Sequence, residues 1–119
     1  MSLNLLRVSQ FDDIISSHNI TRYEPAGNSL RLRVIFQFID GSILHARETI
    51  IDGIKLKYAY HWQDKTGRML VRWDNAPDWD VRTFPHHKHV GDQENVESSY
   101  ERTLVQVLDV IAGAVRVSE

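Results

Sequence analysis

Three histidines in four residues, His86, His87 and His89, stand beside Lys88 in the run Phe84-Pro85-His86-His87-Lys88-His89. Histidine titrates near neutrality, so it can give or take a proton there. Three chemistries fit such a run. The first is metal-free cleavage of RNA, which needs a base for the 2′-hydroxyl, an acid for the leaving 5′-oxygen and cations for the charged transition state. In this reading His86, His87 and His89 carry the protons and Asp74 orients one of them. Arg72, Arg82 and Lys88 hold the phosphate, arginine in the bidentate manner, and His61 lines the groove beside them. The second is metal binding. His87 and His89 are two apart and point to one side of an extended chain, and Asp74, Asp78 or Asp80 would complete a His/carboxylate set of the kind zinc or iron accepts. No helical His-x-x-x-His spacing supports it. The third is structural: the run caps a sheet end, its histidines bond main-chain carbonyls, and Asp74 pairs with Lys57 or Arg72. His18 and His45 lie outside the run and read as ordinary.

Composition narrows the setting for this chemistry. The chain has 119 residues, 14 Lys+Arg, 16 Asp+Glu and no cysteine. A chain of that length makes one domain with one core, 1–119. Disulfides and a thiolate nucleophile are excluded, so any chemistry falls largely to histidine. No apolar run approaches the roughly 20 residues that span a bilayer, and no signal-peptide pattern opens the chain, which predicts a cytoplasmic location. The net charge of −2 is a cancellation: residues 1–54 sum to −1, residues 55–91 to +3 and residues 92–119 to −4. The cationic segment also holds four of the six histidines, so a local phosphate-binding patch is compatible with a mildly acidic whole.

The elements that must position these residues follow from periodicity. Apolar Leu5, Val8, Phe11, Ile14 and Ile15 are spaced for an N-terminal helix over 5–17. Ile20 to Tyr23 reads as a short strand. Leu30, Leu32, Val34, Phe36 and Phe38 alternate with Arg31, Arg33 and Gln37, a strand with one solvent face. Asp40-Gly41 and Asp52-Gly53 are hairpin signals, so residues 43–51 and 54–63 should pair back in turn. Asp64-Lys65-Thr66-Gly67 turns the chain again into 68–74. A tight turn there predicts Gln63 opposite Arg68, His61 opposite Leu70, Ala59 opposite Arg72 and Lys57 opposite Asp74. Tyr58, Tyr60, Trp62, Met69, Val71 and Trp73 then share the core face. Residues 75–92 lack periodicity and read as a long functional loop. Ser98-Ser99-Tyr100-Glu101 fits a capping box for a C-terminal helix with Tyr100, Leu104, Val107, Leu108, Ile111 and Val115 on its apolar stripe. The predicted class is α+β: an antiparallel meander of four to five strands with N- and C-terminal helices packed on one face.

Tyr60-His61-Trp62-Gln63-Asp64, Gly67, Arg72-Trp73-Asp74-Asn75-Ala76-Pro77 and Phe84-Pro85-His86-His87-Lys88-His89, in that order, resemble the TumE family of small toxins from toxin–antitoxin modules. The resemblance covers about Arg31 to Leu108. Asp78-Trp79-Asp80 departs from the family's tendency toward histidine after the proline, which weakens any ligand role for Asp78. The resemblance implies a toxin neutralised by a small helix-turn-helix antitoxin. Combined with the site residues, it favours a metal-independent endoribonuclease with no cofactor, RNA as substrate and no membrane partner. The alternative is a non-catalytic binding protein with a structural or metal-binding His-rich loop. Unpaired strand edges make a homodimer the expected assembly.

Overall fold

The computed structural model describes residues 6–117. Seven strands follow one another in a single antiparallel meander: β1 (Ile15–Ala26), β2 (Ser29–Phe38), β3 (Ile43–Ile51), β4 (Ile54–Gln63), β5 (Met69–Asp74), β6 (His87–Val90) and β7 (Val96–Ser98). Their order in the sheet is their order in the chain. One helix, α1 (Leu104–Val117), packs its buried Leu104, Val107, Leu108, Ile111, Ala112 and Val115 into the same cluster as Leu32, Val34, Phe36, Leu44, Tyr60 and Trp73. Each large apolar side chain buried there contributes about 1.5–3 kcal/mol. Strand alternation then leaves a second sheet face turned away from the helix.

The architecture corrects the expected one in three places. The sheet has seven strands, not four to five, and no N-terminal helix forms among the described residues; Leu5 lies outside them. Val8, Phe11, Ile14 and Ile15 are buried as their spacing required, but through a single 3-10 turn at Ser9–Phe11 that runs into β1. The β-branched pair Ile14-Ile15 and the following Ser16, Ser17, Asn19 and Thr21 disfavour a helix and pair readily with β2 instead. The expected short strand at Ile20 to Tyr23 is the middle of β1.

The second correction concerns the long loop. Residues 75–92 contain β6, which pairs with both β5 and β7. Its four residues are too few to show a period against the prolines before them. The third concerns the helix start. Ser98 ends β7, and Tyr100 is exposed rather than on the apolar stripe. The capping box lies further on: the Gln106 amide donates to Thr103 Oγ1 at 3.1 Å and the Thr103 amide to Gln106 Oε1 at 3.0 Å. Both boxes satisfy the same pattern, and the one next to the apolar run prevails.

Hairpin geometry sets the register. Asp52 and Gly53 both have positive φ, the type I′ turn that suits a two-residue hairpin. The β4–β5 turn is wider than expected, and a bulge follows it, so Ala59 faces Asp74, Tyr60 faces Trp73 and His61 faces Arg72. The pairing differs by two residues from the tight-turn register, which preserves the faces. At the bulge two side chains change sides: Met69 crosses to the outer side and lines the groove there, and Leu70, expected opposite His61, packs against the core.

Candidate functional site

Pairing across the meander builds a row on the outer face. Arg22 faces Arg33, Arg33 faces Arg47, Arg47 faces Ala59, Ala59 faces Asp74 and Asp74 faces His87. The neighbouring row reads His45, His61, Arg72, His89. Apart from His45 and His87, these residues line a groove of about 850 Å³ whose walls also include Arg31, Lys57, Asn75 and Trp79. A smaller cleft with His45 on its wall shares Arg33, Arg47, His61 and Arg72 with it. Like charges directly opposite on a sheet are destabilising, by about 0.2–1 kcal/mol a pair. Arg31, Arg33 and Arg47 are exposed and make no ion pair among the described residues. Arg22 is paired with Glu24 at 2.8 Å, so the repulsion left without a counter-charge lies between Arg33 and Arg47, and an anion over that pair would relieve it.

At the end of the rows, Asp74, His87 and His89 are buried together, one ligand-capable atom of each lying within 4.8 Å of the others. His87 Nε2 is 3.0 Å from Asp74 Oδ1, and His89 Nε2 is 3.6 Å from Asp74 Oδ2. The two imidazoles meet edge to face at 4.9 Å, and Trp79 stands edge-on to His89 at 5.5 Å. Each histidine donates its other ring nitrogen to the main chain: His87 Nδ1 to the Pro85 carbonyl at 2.9 Å, His89 Nδ1 to the Gln93 carbonyl at 2.8 Å. A carbonyl only accepts, so both Nδ1 atoms carry protons and a neutral ring presents an Nε2 lone pair to Asp74. Asp74 is itself held, Oδ2 by Arg72 Nε at 3.0 Å and Oδ1 by the Ala76 amide at 3.0 Å.

His61 lies beside this cluster. Arg72 Nη1 approaches its Nδ1 at 3.4 Å, and His45 stands 6.3 Å away ring to ring. Desolvation, then the neighbouring charge of Arg72, lowers its pKa, so His61 is neutral at neutral pH and faces the groove uncharged.

Of the residues singled out by sequence, the fold brings Asp74, His87, His89, Arg72 and His61 together. It separates His86, Arg82 and Lys88 from them. His86 stacks on Tyr58 at 5.8 Å and shares a 2.9 Å hydrogen bond with the Tyr58 hydroxyl, on the core side of the sheet. Lys88 alternates to the face opposite its neighbours and lies 3.8 Å from Glu97. Arg82 is exposed on the connection before β6. The groups of metal-ligating type that converge include neither Asp78 nor Asp80.

Sequence reading missed Arg22, Arg31, Arg33, Arg47 and His45. Their signal was the segment's own alternation. Once the Asp40-Gly41 hairpin fixes Gln37 opposite Ile43, counting outward places Arg33 against Arg47. Segment charge sums concealed this, because residues 1–54 total −1 while the sheet sorts their arginines onto one face.

A family model described as Toxin TumE matches residues 4–116 of the chain. No curated protein matches significantly, and neither does any solved structure. No helix among the described residues is long and apolar enough to cross a membrane.

Proposed function

The chain belongs to the TumE toxin family, and from that premise we propose that it is the toxin of a toxin–antitoxin module and acts on RNA in the outer-face groove. Membership of a toxin family implies an antitoxin partner, and we propose that this partner is a small helix-turn-helix protein. The observation that carries the RNA reading is the Arg22–Arg33–Arg47 row leading to Asp74. A phosphodiester backbone laid along that row relieves the like-charge pairs and delivers a phosphate to the Asp74–His89 end, with Arg72 and His61 beside it.

Cleavage there needs no added reactant. The 2′-oxygen forms a bond to the adjacent phosphorus while the P–O5′ bond breaks. The 2′-hydroxyl gives up its proton and the 5′-oxygen gains one, leaving a 2′,3′-cyclic phosphate. Neutral His61 is suited to contact the substrate. His87 and His89 act from behind, through Asp74, and His86, Arg82 and Lys88 leave the site. This narrows the histidine scheme expected from sequence: no three bare imidazoles converge on one phosphate.

The test is RNA binding by the Arg33→Glu/Arg47→Glu protein. Each phosphate that is no longer neutralised lowers the slope of log affinity against log salt by about 0.7 for a single strand. The expected result is weaker binding with a slope reduced by about 1–2, no growth arrest, and an unchanged fold. Unaltered RNA affinity, or undiminished toxicity, would overturn the groove assignment in favour of a toxin that holds some other target.

A further inference from the structure

We infer that Asp74, His87 and His89 form a binding site for a divalent transition-metal ion. Both histidines present Nε2 to one carboxylate, and both are fixed in the tautomer that frees Nε2 by a main-chain carbonyl on Nδ1. That arrangement is the usual outer support of a metal-ligating imidazole. Between neutral rings and a carboxylate, lone pairs meet lone pairs, and something positive must lie among them. A proton on His87 is the rival. Yet His87 Nε2, its side chain wholly buried, lies 3.0 Å from Asp74 Oδ1 without hydrogen-bonding geometry. An orphaned buried nitrogen is costly, and a cation bound to its lone pair would remove that cost. Arg72 and the Ala76 amide meanwhile orient the carboxylate from outside.

The donor set names the class of ion. Two imidazoles and one carboxylate suit zinc or ferrous iron, whereas magnesium and calcium prefer oxygen alone. Among the described residues no fourth histidine, aspartate or glutamate joins the three. A closed structural site is thus disfavoured and coordination positions stay open. His89 and Asp74 line the groove, so the open side faces the place proposed for phosphate. The ion would there draw charge from a phosphoryl oxygen, which rests on the RNA reading; its binding does not.

The experiment is titration of untagged protein, first stripped with chelator, with Co²⁺ by visible absorption and Zn²⁺ by calorimetry. The expected result is one ion per chain, with affinity reduced at least ~10-fold in His87→Ala and in His89→Ala, and unchanged in His86→Ala. A readout on the wild type guards against variants that unfold. Co²⁺ should shift two slowly exchanging imidazole N–H resonances, the Nδ1 protons held by Pro85 and Gln93. Absence of saturable Co²⁺ and Zn²⁺ binding, undiminished binding by both histidine variants, or unshifted N–H resonances would overturn the site whatever the RNA results.

Discussion

Two buried polar clusters sit on opposite faces of the same sheet, and they are built differently. On the core side, the Tyr60 hydroxyl donates to Glu48 Oε1 at 2.6 Å, and Lys55 Nζ donates to the Tyr60 oxygen and to the Arg102 carbonyl, both at 3.0 Å. Lys55 also lies over the Tyr58 and Tyr60 rings. Lys55 and Glu48 answer each other's charge, and the Tyr60 hydroxyl and Lys55 Nζ both find acceptors; Trp62 Nε1 and Arg102 Nε are left as buried donors without one. Burial, with Glu48 beside it, holds the Tyr60 hydroxyl protonated far above the ordinary range, and desolvation raises Tyr58 to about 12. On the outer side, Asp74, His87 and His89 are buried more deeply than the half-buried Lys55 and Glu48, yet His87 Nε2 has no hydrogen bond. The Tyr60, Glu48 and Lys55 group is complete without help. The second keeps bonding capacity in reserve, and it opens on a row of arginines in which Arg22 is paired with Glu24 while Arg33 and Arg47 make no ion pair among the described residues. The contrast teaches that neither burial nor a single orphaned atom distinguishes a structural network from a site; an orphaned acceptor among converging ligand-type side chains does.

The largest effect expected from breaking this comparison is on the core side. Lys55→Met removes two hydrogen bonds made by a charged group, to Tyr60 and to the Arg102 carbonyl, each worth about 1.5–3 kcal/mol, and denaturant unfolding should record the loss. RNA affinity per folded molecule should not change. Next comes the outer cluster. Saturating Zn²⁺ at about 100 times its Kd should stabilise the wild type by about 2.7 kcal/mol and leave an Asp74→Asn/His89→Ala protein unmoved in thermal unfolding. Smaller still is His86→Ala, which removes the Tyr58 hydrogen bond at a cost of about 0.5–1.5 kcal/mol and should leave growth arrest intact. If His86→Ala instead abolished toxicity at normal stability, the division between the two faces would fail.

Much of this contrast was legible in the sequence, though unevenly. Alternation in residues 30–38 and 54–62, with two Asp-Gly turns, specifies hairpins and faces, because a strand's period of two is unmistakable over a stretch of that length. The partnership of His87 with His89 was legible for the same reason, and the pairing of Asp74 with Arg72 was one of two expected alternatives. The N-terminal segment was not, because Val8, Phe11, Ile14 and Ile15 fit a helical stripe and a curled entry to a strand equally well. The bulge between Trp62 and Gln63 was hidden too: it adds one residue to the one added by the wider turn, swings Met69 outward, and no local residue announces it. The arginine row was there to be counted outward from the Asp40-Gly41 hairpin but was masked by the segment's charge sum, and Trp79 lies on an irregular connection with no period to place it. His86 misled by adjacency: the one-residue step from His87 along an extended chain turns its side chain to the other face.

The central claim is that the outer face is the working face, with Asp74 at its focus. Its most direct test is purified, ion-loaded protein incubated with single-stranded RNA, wild type against Asp74→Asn, with circular dichroism to establish equal folding. The expected result is cut RNA ending in 2′,3′-cyclic phosphate for the wild type and a rate lower by about 10–100-fold for the variant, the scale of losing the carboxylate that holds its neighbours in place. RNA left whole by the wild type at every protein ratio, or cut equally fast by both proteins, would contradict it.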